Sequence, residues 1–440
     1  MKQNLSNKNL FALGFLMLAL FLGAGNLIFP PQLGQEAGTS VLPAIFGFLL
    51  TGVGLPLLAI VAISQTNGDM FEIANRVHSK FAIAYSFAIY LALGPFFGIP
   101  RTSTVTYEIG VAPFLPDEMQ GSLSLLIATF IFFVLTYFLS LNPSKLIDRI
   151  GKMLMPLLLI LIGVLTFSSF VMFDFNQIHS PIEKYENGAI FSGFIEGYLT
   201  MDTIAALIFG IVIMDRLADL GIKDNKLVAK YTIQSGLIAG AGLSFVYISL
   251  ALLGTISVSV VGSFDNGGRI LSEMSFEMYQ HFGTILLAAV IIVACLTTAI
   301  GLVSACSEFL AKRFPKISYS IFLFILTFAS FLMANLGLSQ LISISLPVLI
   351  FLYPITIALI VLAIVHSYVK VKQPVYICTI IATSIFSLID GLVAAGLPMN
   401  SWLPFLDYIP LYNNGIGWFF PALIGLLIGI TIAKLQNHSE

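Results

Sequence analysis

The sequence FLGAGNLIFPP, residues 21–31, interrupts an otherwise continuous run of large apolar side chains. Its glycines, its asparagine and its paired prolines are poor material for the interior of a helix. A glycine there costs about 1 kcal/mol and a proline about 3 kcal/mol relative to alanine. The residues on both sides nevertheless have the character of a membrane-spanning helix. The stretch therefore predicts a membrane helix that is broken near its centre.

The composition of the whole chain supports a membrane location. Of the 440 residues, 58% are hydrophobic and 10% are charged, whereas about 25% are charged in an ordinary soluble domain. Apolar stretches of roughly twenty residues recur along the chain, each long enough to cross a bilayer as a helix. The net charge of −2 and the lack of a basic arm argue against a nucleic-acid partner. We expect an all-α polytopic membrane protein embedded in the lipid bilayer.

No motif of an enzyme is visible in the sequence. There is no nucleophile–base signature, no metal-binding spacing of histidines or cysteines, and no appended domain. We therefore expect no enzymatic activity, no organic cofactor and no obligate protein partner.

The hydropathy pattern predicts about twelve spans. They cover residues 9–30, 41–63, 81–110, 122–141, 152–173, 190–214, 228–256, 283–311, 317–335, 340–366, 374–396 and 415–434. Of the 20 Lys and Arg residues, only Arg101, Lys184 and Arg269 fall on one set of connections. Because basic residues concentrate on the cytoplasmic side, both termini are expected in the cytoplasm.

The sixth span carries a second interruption, EGYLTMD, residues 196–202. A broken helix in lipid exposes backbone polar groups, so such breaks persist only beside protein or a polar cavity. Two breaks five spans apart are typical of transporters built from inverted repeats, which bind their ligands at the breaks. The alternative is that both sites are simple kinks, because Gly and Pro are common in membrane helices.

The stretch GFLMLALFLGAGNLIFPPQLGQEAG, with GFIEGYLTMD, resembles the BrnQ family of branched-chain amino acid:cation symporters. The resemblance implies a LeuT-like fold with repeats of about 9–173 and 190–366 and two further helices within 374–434. It also implies sodium-driven import of leucine, isoleucine and valine across the cytoplasmic membrane by alternating access. Proton coupling of the same substrates and an uncoupled uniporter or channel remain alternatives.

An amino acid in a dry pocket needs donors for its carboxylate and acceptors for its ammonium. The N–H groups that open a half-helix and the C=O groups that end one supply both. We expect the N–H groups of residues 24–26 to face the carboxylate, and carbonyls near Phe21 and residues 198–199 to face the ammonium. The expected substrate-binding residues are Phe21, Gly23, Ala24, Gly25, Asn26, Phe97, Gly197, Tyr198, Leu199, Thr200 and Asp202.

The acidic residue Asp202 has several open roles. An ionisable residue within a span indicates function by default, and Asp202 is a candidate proton or cation site or a partner for the ammonium. A structural hydrogen-bonding role is the competing interpretation. Glu196 and Arg101 are expected to line the outer vestibule. Phe97, in the interruption LGPFFGIP at residues 93–100, is a candidate for the apolar wall of the pocket.

A sodium site is expected on the eighth span, where Ala294, Thr297 and Thr298 share one helical face. A carbonyl and two hydroxyls form an oxygen cluster suited to a hard cation. The alternative is that both hydroxyls bond back to carbonyls one turn earlier. The resemblance implies that carbonyls of Ala19 and Leu22 complete the coordination of the ion.

Overall fold

The computed structural model describes residues 5–66, 68–141, 146–173, 178–222 and 224–438, and the regular structure in these ranges is helical. The first half forms α1 (Asn7–Phe21), α2 (Ala24–Ala37), α3 (Val41–Leu49), α4 (Leu55–Ser64), α5 (Met70–Asn75), α6 (Ser79–Leu91), α7 (Gly98–Gly110), α8 (Ser122–Ser140) and α9 (Leu146–Met172). The second half forms α10 (Glu183–Glu186), α11 (Ala189–Glu196), α12 (Asp202–Asp219), α13 (Asn225–Val260), α14 (Gly267–Arg313), α15 (Tyr319–Ala334), α16 (Leu338–Tyr368), α17 (Gln373–Ala394), α18 (Met399–Trp402) and α19 (Phe419–His438).

Each of the twelve predicted spans coincides with helix in the structure. By length and hydropathy alone, 9 helices of the described residues could cross a membrane, or 10 if the bent pair α11 and α12 is one span. The counts differ because residues 24–64 pass that test as one stretch, while α1 and α15 are shorter than it requires. The prediction of an all-helical polytopic membrane protein is confirmed.

The first break is shorter than the sequence analysis predicts. We expected the first span to be unwound over residues 23–26, but the helix ends at Phe21 and resumes at Ala24. The side chain of Asn26 explains the early restart, because its Oδ1 accepts a hydrogen bond from the Gly23 N–H at 2.9 Å. It thereby satisfies a backbone donor freed by the break.

The sixth span breaks where it is predicted to break. Residues Gly197–Thr200 form a 3-10 turn, and Met201 follows with a left-handed backbone at φ 62°. The segments before and after the turn differ in direction by 40°. A non-glycine residue rarely adopts positive φ, so the backbone at Met201 is strained. This conformation turns the carbonyl end of one segment towards the start of α12.

The packing around the two broken spans follows one pattern twice. The halves of the first span, α1 and α2, pack against α13, and the halves of the sixth, α11 and α12, pack against α3 and α4. Both contacts use glycines against backbone. A Cβ on Gly34 would stand 1.9 Å from the Ala251 carbonyl oxygen, and one on Gly193 would stand 1.8 Å from the Ala44 carbonyl oxygen.

This repeated pattern is what two inverted repeats would produce, since the sixth span then occupies the position of the first. The exact limits of the repeats, near residues 173, 190 and 366, stay a prediction.

The close approach at Gly193 generates a test of packing. Gly193→Ala should lower the free energy of unfolding by about 1–3 kcal/mol, because the carbonyl it meets belongs to the backbone and cannot rotate away. Gly301→Ala is the matched control, since nothing lies within 4 Å of a Cβ there. The thermal midpoint in detergent measures both. Equal midpoints for the two variants would contradict the packing analysis.

Candidate functional site

The two breaks face one central cavity. Its volume is about 40 Å³, which is room for a few waters at about 10–15 Å³ each. It is lined by Leu20, Phe21, Gly23, Ala24, Gly25, Asn26, Leu93, Gly98, Arg101, Thr102, Thr200, Met201, Asp202, Ala205, Phe209, Thr298 and Leu302.

The start of α2 gives one wall of this cavity a positive character. The N–H groups of residues 24–26 belong to the first turn of the helix, where no intrahelical acceptor exists, and the helix dipole is positive at this end. Gly25 holds the wall close to its neighbours. A Cβ at Gly25 would stand 3.3 Å from the Leu199 carbonyl oxygen and 3.4 Å from Nη1 of Arg101.

Three buried polar side chains join the two breaks to a neighbouring helix. The Asn26 amide donates to Oδ2 of Asp202 at 2.8 Å and also donates to the Tyr247 hydroxyl. The Tyr247 hydroxyl in turn donates to the same oxygen of Asp202. These residues lie on α2, α12 and α13 and are at most 1% exposed. Since Asp202 also lines the cavity, the carboxylate both fastens the breaks together and faces any ligand.

A guanidinium group faces the same cavity, at a position that the sequence analysis assigned to the outer vestibule. That expectation is wrong, because Arg101 is only 2% exposed and lies in the cavity wall. Its Nη1 donates to the Leu199 carbonyl at 2.6 Å, and its Nη2 donates to Ser345 Oγ at 2.9 Å. Its Nε has no hydrogen-bond partner among the described residues. Among the described residues no carboxylate forms an ion pair with Arg101.

The interruption before α7 explains the depth of Arg101. The third span contains a π-turn over Ala92–Phe96 with a non-helical Gly94, and α7 restarts at Gly98. Arg101 therefore lies in the first turn of α7, at the level of the breaks. The signal that could have found it is its position as an ionisable residue inside a span.

The other expected substrate-binding residues divide into two groups. Phe21, Gly23, Ala24, Gly25, Asn26, Thr200 and Asp202 line the cavity; Phe97, Gly197, Tyr198 and Leu199 do not. Leu199 contributes its carbonyl to Arg101. Tyr198 stacks on Tyr353 with ring centroids 4.4 Å apart. Sequence reasoning did not find Tyr247, which lies on an uninterrupted helix.

The expected sodium ligands adopt the back-bonded arrangement. Thr297 Oγ1 donates to the Val293 and Ala294 carbonyls at 3.0 and 2.9 Å, and Thr298 Oγ1 donates to the Ala294 carbonyl at 3.1 Å. Thr298 lines the cavity, whereas Ala19, Leu22, Ala294 and Thr297 do not. Both hydroxyls thus bond back to carbonyls about one turn earlier, which is the structural alternative to a sodium site. The Thr298 side chain also lines the cavity beside the first break.

An ion-pair cluster joins the ends of α2 and α11 on one side of the cavity. Lys184 of the short helix α10 pairs with Glu196 and lies 3.5 Å from the carboxylate of Glu36. Burial disfavours the charge on Lys184, but the carboxylates of Glu196 and Glu36 outweigh it and raise the pKa of Lys184 above its ordinary value. Lys184 therefore stays protonated at neutral pH. The placement of Glu196 on the outer side of the membrane stays a prediction.

The opposite side of the cavity borders a larger chamber of about 690 Å³. The chamber is lined by charged side chains that include Asp215, Arg216, Glu308 and Lys312. Leu20 and Phe209 belong to the walls of both the chamber and the central cavity. These two side chains therefore separate the cavity from the chamber in this conformation.

The fold is shared with two solved transporter structures. The inward-facing conformation of Mhp1 superposes with a TM-score of 0.61 at 13% identity, covering 99% of this chain and 96% of Mhp1. MhsT in complex with L-phenylalanine superposes with a TM-score of 0.57 at 16% identity, covering 98% of this chain and 99% of MhsT. The chain therefore has the LeuT-like fold.

The sequence comparisons identify the family. The branched-chain amino acid permease BraB of Bacillus subtilis (strain 168) is 44% identical over 100% of this chain and 99% of its own length. A family model described as "Branched-chain amino acid transport protein" matches residues 6–436. With its paired helix breaks and LeuT-like fold, the chain belongs to the branched-chain amino acid transport protein family, a family of transporters and not of enzymes.

Proposed function

We propose that the protein is a sodium-driven symporter that imports leucine, isoleucine and valine across the cytoplasmic membrane by alternating access, with both termini in the cytoplasm. The observation that carries the proposal is that a buried guanidinium and a buried carboxylate line one cavity at the two helix breaks. A zwitterionic amino acid presents the opposite charges on a single carbon.

The carboxylate of the substrate meets Arg101 and the first turn of α2. Arg101 now donates to the Leu199 carbonyl, and its Nε is unpartnered. A carboxylate accepts two parallel hydrogen bonds from a guanidinium, which makes the pair strong and directional. When the substrate takes over the guanidinium, the Leu199 carbonyl becomes free to accept a hydrogen bond from the ammonium. Asp202 supplies the opposite charge beside it.

The side chain of the substrate meets the apolar part of the cavity. Leu20, Leu93, Ala205, Phe209 and Leu302 form this part, which suits an aliphatic chain. One methylene more or less changes binding by only about 1–3 kcal/mol, so the three substrates should bind with similar affinities. The present volume of about 40 Å³ is too small for leucine. Loading therefore requires Leu20 and Phe209 to separate.

Sodium and a proton are the two candidates for the coupling ion. Sodium is supported by Thr298 beside the first break, where a rotation about χ1 would release its hydroxyl from the Ala294 carbonyl. A proton is supported by Asp202, whose buried carboxylate lies among hydrogen-bond partners that either protonation state can use. Counterflow of radioactive leucine in proteoliposomes under separate sodium and pH gradients decides between the two ions. Leucine exchange without concentration under either gradient would instead indicate a uniporter.

The binding mode makes Gly25 intolerant of a side chain. Gly25→Leu should abolish leucine binding, because the new side chain occupies the space between α2, the Leu199 carbonyl and Arg101. The variant should still insert and elute as a monodisperse species. Scintillation proximity binding of leucine measures the effect. Unchanged affinity would show that the carboxylate binds elsewhere.

The role of Arg101 is tested with a pair of ligands. Arg101→Gln should weaken leucine binding by roughly 10- to 150-fold, since a hydrogen bond to a charged group contributes about 1.5–3 kcal/mol. It should weaken binding of 3-methylbutylamine, which lacks the carboxylate, far less. Arg269→Gln is the control, because Arg269 lies over Phe264 and outside the cavity. An equal loss for both ligands would assign Arg101 a structural role only.

The coupling ion is tested at the threonine pair. If their hydroxyls complete a sodium site with carbonyls of Ala19, Leu22 and Ala294, the ion ties the first span to the eighth. Thr297→Ala with Thr298→Ala should then raise the sodium concentration for half-maximal leucine uptake by roughly 5- to 150-fold, the usual range of coupling. Wild-type sodium dependence in the double variant would place the ion elsewhere. Uptake that ignores sodium and follows a pH gradient would make Asp202 the first residue to test.

A further inference from the structure

A second buried carboxylate lies outside the substrate cavity, near the end of α17. Asp390 is 7% exposed and faces the chain just before α19. A Cβ on Gly417 would stand 3.0 Å from Oδ1 of Asp390, and the backbone of the next residue, Trp418, faces the same carboxyl. The chain thus passes directly over this carboxylate and closes it off.

The buried polar groups around Asp390 are incompletely paired. Oδ2 of Asp390 is buried without a hydrogen bond among the described residues, whereas the Trp418 backbone interacts with the same carboxyl and the Trp418 indole lies beside the Tyr198 hydroxyl. Leaving a buried polar atom without a partner is costly, so the unpaired oxygen of Asp390 indicates a role beyond packing. We call Asp390, Tyr198, Tyr412 and Trp418 the Asp390 cluster.

The cluster contains a negative group but no cation to balance it. The titratable side chains that face Asp390 are Tyr198 from the break of the sixth span and Tyr412 from the loop before α19. In the part of the chain that the structure describes, no lysine, arginine or histidine forms an ion pair with Asp390. Nor do the searched residues contain a group of three metal-ligating side chains. A proton is the cation that a single buried carboxylate can bind without further ligands.

Proton binding would change the hydrogen bonds that the carboxyl can make. As a carboxylate it only accepts, and the Trp418 backbone N–H is the donor that faces it. As a carboxylic acid it also donates, and the oxygen of Tyr198, which faces Asp390, can accept. Burying a charge without a partner is costly, and proton uptake removes that cost. Each protonation state therefore favours a different arrangement of the cluster.

The cluster is connected to the substrate site through aromatic rings. Tyr198 belongs to the turn Gly197–Thr200 that breaks the sixth span. Its ring stacks on Tyr353 of α16, with centroids 4.4 Å apart and ring planes 20° from parallel. The Tyr353 hydroxyl in turn interacts electrostatically with Asp202. A change at Asp390 thus reaches the broken helix through a single residue.

We propose that Asp390 is a proton-binding site distinct from the substrate cavity, and that its protonation acts through Tyr198 on the break of the sixth span to make leucine transport depend on pH. The proton-binding part stands by itself, whereas the effect on transport rests on the proposed function. Two measurements separate them.

The first measurement follows Trp418 directly. The chain has 2 tryptophans, so Trp402→Phe leaves Trp418 as the only one, and its fluorescence reports a charge beside the indole. The emission should show one transition across the physiological pH range. Adding Asp390→Asn should remove the transition, while adding Asp407→Asn, an exposed acid in the same loop, should keep it. A transition that survives Asp390→Asn, or none in the parent protein, overturns the site.

A second variant tests the site even if Asp390→Asn fails to fold. Tyr198→Phe retains the ring stack and removes only the hydroxyl. It should shift the midpoint of the Trp418 transition, because the protonated carboxyl loses its acceptor. An unchanged midpoint with Tyr198→Phe overturns the proposed contact.

The second measurement is leucine uptake by proteoliposomes as the pH outside is varied at a constant sodium gradient. Wild-type uptake should change with pH, and the Asp390→Asn protein should give a flat profile while binding leucine with unchanged affinity. Identical profiles for both proteins overturn the link to transport. If the wild-type protein binds no leucine, the proposed function fails, and the fluorescence titration still tests Asp390.

Discussion

The structure depends on how backbone polar groups are satisfied where two membrane helices stop halfway. Lipid offers them no hydrogen bond, so the protein must. At the first break the side chain of Asn26 accepts from the Gly23 N–H and donates to Asp202 on the other broken span. At the second break the Leu199 carbonyl receives the guanidinium of Arg101. The first break is therefore completed by a side chain of its own span that also reaches the other broken span, and the second is completed by a side chain of α7.

The side chains at the breaks determine the electrostatics of the central cavity. They are the guanidinium of Arg101, the carboxylate of Asp202 and the neutral amide of Asn26, and leucine, alanine and phenylalanine line much of the remaining wall. In a medium of low polarity such groups interact more strongly than in water. In the proposed function, a zwitterion that enters would take over the same hydrogen bonds, so the forces that hold the empty site together would also recognise the substrate.

Much of this could be predicted from the sequence. The spans follow from hydropathy, and both breaks follow from glycine and proline in apolar surroundings, because these residues weaken a helix wherever they lie. The exact restart at Ala24 could not be predicted, since it depends on a hydrogen bond from Gly23 to a side chain three residues on. The depth of Arg101 was mispredicted for a related reason, because the π-turn over Ala92–Phe96 alters the depth and rotation of α7 by an amount that the local pattern does not give. Tyr247 was missed because it lies on an uninterrupted helix, where only tertiary packing brings its hydroxyl to Asp202.

The glycine contacts between helices have a mechanical consequence. On α2 and α13, Gly34 receives the Ala251 carbonyl and Gly254 receives the Pro31 carbonyl; on α3 and α11, Gly47 receives the Ile190 carbonyl and Gly193 receives the Ala44 carbonyl. In each pair, a glycine of either helix lies against a backbone carbonyl of the other. Neither helix can therefore slide along its partner or rotate about its own axis. Any motion that opens the protein must therefore move each pair as one rigid body. The bending that such motion requires is left to the few residues of the breaks.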